Sequence, residues 1–206
     1  MALFTLWPFY VACFFRRVEA MPPLQHFVLH ESARFIVFAG IPLYWTFRRA
    51  DNPLTTLGFQ FSWRSLAPGI GIGLGYAAAV VLVGVFLQGR EFRPSYDEVS
   101  LWTRGFGLAT LVEELSFRSF FLGALHFRSP RFAVIFSAAC FALVHVPGWC
   151  FLHLVPSGGA LAAQLASVFL LDCVLAVVFR HTQSFYAVFA IHALNNVAAA
   201  TLQQAA

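Results

Sequence analysis

Charge is what this sequence has least of: 11% of its 206 residues are Asp, Glu, Lys or Arg. Soluble domains carry roughly 25%, so a water-facing globule is excluded and lipid is the solvent that this surface fits. Lysine is missing altogether, and all thirteen basic residues are arginine. They sit singly or in pairs beside apolar segments and never form the dense run of a nucleic-acid-binding arm. The formal charge of +4 therefore bears on membrane orientation, and no nucleic-acid partner is expected. Cysteine is scarce as well. Cys13, Cys140, Cys150 and Cys173 lie in apolar runs with no CxxC pair, which excludes a secreted disulfide framework. There is no HExxH, and Gly69, Gly71, Gly73 and Gly75 lack the preceding strand that a phosphate loop needs.

What is abundant is apolar: 60% of the residues are hydrophobic and the mean hydropathy is +0.75. Tracts near 20 residues can cross a hydrocarbon core of ~30 Å. Seven are read: Ala2–Phe15, Phe27–Phe47, Ala67–Leu87, Leu101–Phe127, Phe132–Leu154, Ala160–Phe179 and Phe185–Leu202. The first has a signal peptide's length but no basic start and no small-residue cleavage site, so it reads as a retained short or tilted span. The expected fold is all-α, a polytopic transmembrane helix bundle of about seven spans (six to eight) forming one structural domain. Residues 1–100 are expected to be membrane helices without a specific signature, and residues 101–206 a membrane core carrying the polar motifs described below. Leu54–Leu66 reads as an interfacial segment. The four glycines read as close helix-packing positions. Arg48, Arg49, Arg64, Arg128, Arg131 and Arg180 fall on one side, which places the N-terminus in the cytoplasm, with Arg16 and Arg17 dissenting.

The chain is organised around Leu111-Val112-Glu113-Glu114-Leu115-Ser116-Phe117-Arg118. An ionised side chain at a bilayer centre costs at least ~2.5–3.5 kcal/mol, so three together need partners. Glu114 and Arg118 are four apart and share a helix face, where they can pair. Glu113 is turned about 100° away and needs a different partner. His192 and Asn196 are also four apart, and Phe141 lies one turn before His145. By span arithmetic, Glu113 lies ~18 Å from one end of its tract and His192 ~12 Å from the opposite end of its own, which is one depth. A carboxylate and an imidazole as base, with donors where an oxyanion forms, are what a water-activating site requires. Each group also has a structural reading. An intramembrane histidine can simply bridge helices, Asp172 reads as hydrogen-bonded within the bundle, and Glu31 with Arg34, three apart, reads as a local ion pair.

Glu-Glu-x-x-x-Arg, Phe-x-x-x-His and His-x-x-x-Asn, in that order on late apolar segments, resemble the CAAX prenyl endopeptidase and bacteriocin-processing family of glutamic-type intramembrane proteases. The motifs stand here as Glu113–Arg118, Phe141–His145 and His192–Asn196. The resemblance covers about Leu101–Ala200 and implies an intramembrane endopeptidase. Carried over by position, it implies that Glu113 and His145 activate the attacking water. His192 and Asn196 then hold the oxyanion, Glu114 and Arg118 brace the site, and no cofactor is needed. The implied partners are the lipid bilayer and a membrane-anchored protein or peptide substrate. The arginine-only, alanine-rich composition points to a bacterial inner membrane, where short relatives resembling myxosortases clip C-terminal sorting tails. Two rivals remain: a zinc metalloprotease using Glu113, His145 and His192 as ligands, and a non-catalytic scaffold or immunity protein.

Overall fold

A computed structural model of the protein describes residues 2–15, 17, 20–93, 107–124, 129–151 and 158–204. Helix α1 (Ala2–Tyr10) widens into a π-type turn over Val11–Phe15. Helix α2 (Pro23–Arg34) passes through a second π-type segment, Phe35–Gly40, into α3 (Ile41–Arg49). Asn52 caps the short α4 (Pro53–Thr56), its Oδ1 accepting from Thr55 N at 3.2 Å. Helix α5 (Trp63–Leu82) runs on through Val83–Leu87. Helix α6 (Leu108–Glu114) continues as a ten-residue π-type stretch, Leu115–Ala124. Then come α7 (Pro130–Phe151), α8 (Gly159–Thr182) and α9 (Phe185–Ala200).

The molecule is an all-α helical membrane bundle. Among the described residues, Trp63–Leu87, Pro130–Cys150 and Gly159–Thr182 are long and apolar enough to cross a bilayer, with mean hydropathies of 2.4, 1.8 and 2.2. Leu6–Phe15 and Phe185–Ala200 are shorter apolar helices. Every apolar tract of the sequence forms helix over its described residues, apart from Gly107, Thr201 and Leu202 at tract ends. The beginning of the fourth tract, Arg16, Arg128, His126, His153 and the turn at Pro156 lie outside the described residues.

Two boundaries differ from expectation. The third apolar helix starts before Ala67: α5 begins at Trp63, inside the segment read as interfacial. Leu57 is fully buried, and Gly58 N–H and C=O are both used, the latter accepting from Phe185 N at 2.9 Å. A side chain at Gly58 (φ +77°) would put its Cβ 2.9 Å from Phe185 N, so glycine is required at this crossing. The second difference is a small antiparallel ribbon. β1 (Arg90–Phe92) pairs with β2 (Leu202–Gln204), Arg90 standing opposite Gln204. Three-residue strands carry no period, and their pairing spans most of the chain, so a loop and a helix end were the expected states.

The glycines behave as a packing stripe on one face only. A Cβ at Gly69 would lie 2.7 Å from Ala187 Cα, and one at Gly73 would lie 3.0 Å from Ile191 Cα, whereas Gly71 and Gly75 face open space. Small residues at i and i+4 let the backbones of α5 and α9 approach closely, which is how helices associate where lipid is as apolar as leucine. A sharp turn joins α8 to α9. Gln183 takes a left-handed conformation (φ 48°), its N–H bonding Phe179 O at 2.7 Å, and Ser184 caps α9 through Ala187 N at 3.4 Å. The core between the two halves is aromatic and aliphatic, built from Phe38, Phe117, Phe141, Val144 and Phe185.

Candidate active site

Helix α6 delivers Glu113 and Glu114 side by side, both buried, and the helical rotation between them sends the carboxylates to different arginines. Glu114 meets Arg118 one turn on, at 2.7 Å, with both side chains fully buried. Arg118 reaches in the other direction to Asp172 of α8, whose second oxygen accepts from Ser137 of α7 at 3.4 Å. Glu114 Oε1 also accepts from His192 Nδ1 of α9 at 2.6 Å. One connected chain of polar groups, His192–Glu114–Arg118–Asp172–Ser137, thus joins four helices. Buried ions are tolerated only when paired and hydrogen-bonded in this way.

Because Glu114 accepts, Nδ1 of His192 carries the proton and its Nε2 is the nitrogen turned towards Glu113, at 3.7 Å from Oε2. The other oxygen, Glu113 Oε1, accepts from Arg34 Nη2 at 2.5 Å. His145 Nδ1 donates to Phe141 O at 2.7 Å, which leaves Nε2 as its free nitrogen. The Phe141 ring is the hub between these groups. Its centroid lies 4.8 Å from His145, 5.8 Å from His192 and 4.8 Å from the Arg118 guanidinium carbon. Asn196 donates one amide hydrogen to Thr110 at 3.1 Å, and Thr110 lies one turn before Glu113. Its amide oxygen accepts from Asn195 at 3.2 Å.

The residues singled out in the sequence therefore converge. Glu113, Glu114, Arg118, Phe141, His145, His192 and Asn196 occupy one layer, three of them meeting across helices through His192. The local Glu31–Arg34 pair exists at 3.8 Å, but it is the lesser contact of Arg34, which reaches out of its own helix to Glu113. Arg34 is the residue whose part in the layer was missed. The available signal was electrostatic: adjacent acids on α6 need two cations, and α6 carries only Arg118. Asp172 as a bundle hydrogen-bonder is borne out by Arg118 and Ser137. Among the described residues, no three His, Cys, Asp or Glu side chains are arranged to hold a metal ion. Glu113 and His192 are instead engaged by Arg34 and Glu114.

A helical membrane bundle that sets two buried carboxylates against the buried His192, with His145 part-buried beside Phe141, holds the groups that activation of a water requires. The family model described as type II CAAX prenyl endopeptidase Rce1-like matches residues 96–198, half of the chain. The chain belongs to this Rce1-like family, whose members are peptidases of the CAAX type. No curated protein and no solved structure matches it significantly.

Proposed function

We propose that the protein hydrolyses a peptide bond in a membrane-anchored protein or peptide, using a water activated by Glu113 and His145. Glu113 Oε2 takes the proton as the water oxygen attacks the scissile carbonyl. His145, with Nδ1 held by Phe141 O, offers Nε2 to the same water. The carbonyl oxygen becomes an oxyanion facing the His192 ring and the Asn196 amide hydrogen that Thr110 leaves over. The leaving nitrogen then takes the proton that Glu113 carries. Glu114 and Arg118 fix the ring of His192, and Phe141 packs beneath both histidines.

One observation carries this reading: Glu113 and His192 face each other across 3.7 Å while each is held from behind, by Arg34 and Glu114. Two groups anchored on their outer atoms with inner atoms opposed form a preorganised pair, and preorganisation is what a hydrolytic site needs. We place the protein in a bacterial inner membrane and its substrate among proteins carrying a C-terminal membrane tail, as in myxosortase-like processing.

The test is cleavage in the native host. Wild type is compared with Glu113→Gln, His145→Ala and His192→Ala at equal membrane abundance, with and without a chelator. Each variant is expected to lower the rate by about 10²–10⁴-fold, leaving a membrane protein uncut, and the chelator to change nothing. Normal processing by all three variants would mean that the polar layer only holds helices together. Loss on chelation with rescue by zinc would replace the mechanism with a metal-assisted one.

A further inference from the structure

Arg34 stands outside everything the family match covers. It lies on α2, in the half of the chain that residues 96–198 leave out. Yet its Nη2 donates to Glu113 Oε1 at 2.5 Å, 79 residues away in sequence, with both side chains nearly buried. A second contact fixes the register of the two helices. Ser116 Oγ donates to Phe38 O, so Arg34 meets Glu113 and, one turn further along both helices, Phe38 meets Ser116. Two contacts advancing together mean that α2 and α6 run locally parallel. The arginine is therefore placed by a docked backbone and not by the reach of a long side chain. The π-type widening of Phe35–Gly40 begins at the next residue, and Val37, Phe38 and Ala39 are buried there against the core that holds Phe117 and Phe141. Such widenings recur where a helix must turn a side chain towards a site.

We propose that Arg34 is a positioning residue of the hydrolytic site, clamping Glu113 by Oε1 so that Oε2 is the oxygen presented to water and to His192. The inference rests on the reading of Glu113 as the base. Its chemical logic is selection between two equivalent oxygens. A free carboxylate rotates and offers either oxygen, whereas a guanidinium bond on one of them fixes the plane of the group. Arg34 has a nearer option in sequence, Glu31 on its own helix, and that contact is the longer one at 3.8 Å. Its Nε is buried without an acceptor among the described residues, so the head group is oriented chiefly by Glu113. The N-terminal half thereby supplies part of the reaction apparatus as well as membrane attachment.

The experiment uses the full chain in proteoliposomes, with Arg34→Gln and Arg34→Lys in the wild-type and Glu113→Gln backgrounds. The kinetic probe is a set of fluorescence-quenched peptides ending in a membrane tail, an apolar helix with a basic end, the substrate class proposed above. Arg34→Gln is expected to lower kcat roughly ten- to hundredfold, the cost of a misplaced catalytic group, with KM unchanged within about twofold. Arg34→Lys should recover most of kcat. Adding Arg34→Gln to Glu113→Gln should cost nothing further, because the clamp then holds no base. Infrared difference spectra against Glu113→Gln give a readout independent of any substrate: the carboxylate band of Glu113 should shift in Arg34→Gln. Full kcat in Arg34→Gln alongside a dead Glu113→Gln overturns the clamp and leaves the base standing. Full kcat in Glu113→Gln removes both. An unmoved infrared band, or equal losses of kcat and thermal stability in both backgrounds, also overturns the proposal.

Discussion

At the scale of single residues, the mechanism proposed above divides the layer into groups that face the reaction space and groups that hold them. Asn196 belongs to the first set and Asn195 serves it from behind. Asn196→Ala is expected to lower kcat by about 10²–10³-fold, the usual cost of losing an oxyanion donor, and Asn195→Ala far less. Steady-state cleavage of one membrane-bound peptide by both variants checks this. Arg118 belongs to the second set. Arg118→Ala would leave Glu114 and Asp172 buried without their shared cation, and breaking a buried pair in this way costs about 3–5 kcal/mol. Thermal unfolding in detergent should show it, whereas Glu113→Gln should unfold near the wild-type temperature. The motif residues were legible because their chemistry is rare inside apolar tracts. Arg34 was not read as part of the site, because a carboxylate three residues away offered it a local partner, and sequence spacing cannot see across helices.

At the scale of elements, composition made the helices legible and left their edges obscure. Apolar length alone identifies Trp63–Leu87, Pro130–Cys150 and Gly159–Thr182 as spans. The extent of the π-type stretches, and the ribbon between Arg90–Phe92 and Leu202–Gln204, depend on tertiary contacts that no local pattern encodes. Glycine spacing in α5 was informative about mechanism but not about face, since four glycines two residues apart cannot all meet one neighbour. Gly69→Ala should therefore be harmful, because its Cβ meets Ala187 backbone at 2.7 Å, and overpacking of this kind costs about 1–3 kcal/mol. Gly71→Ala meets nothing within 4 Å and should be neutral, or stabilising by up to about 1 kcal/mol through helix propensity. Paired melting curves of the two variants decide it. The polar layer feels the same packing, since α9 carries both the Gly69 contact at Ala187 and, five residues on, His192.

At the scale of the whole molecule, the two halves divide the labour without dividing the fold. The motifs lie in residues 101–206, but α5 packs along α9, and α2 holds Glu113. Residues 101–206 produced alone should insert in membranes and fail to cleave. Co-production of residues 1–100 as a separate chain should restore cleavage, measured on the same peptide set. Activity of the C-terminal piece alone would show that the N-terminal half is dispensable. The pairing pattern also has a consequence for biosynthesis. Chains are made from the N-terminus, and each buried acid of the layer is preceded or accompanied by its cation. Arg34 is already in place when Glu113 arrives, Glu114 enters on the same helix as Arg118, and Asp172 follows Arg118 by 54 residues. No carboxylate of the site has to wait in the bilayer for a countercharge that the ribosome has yet to make.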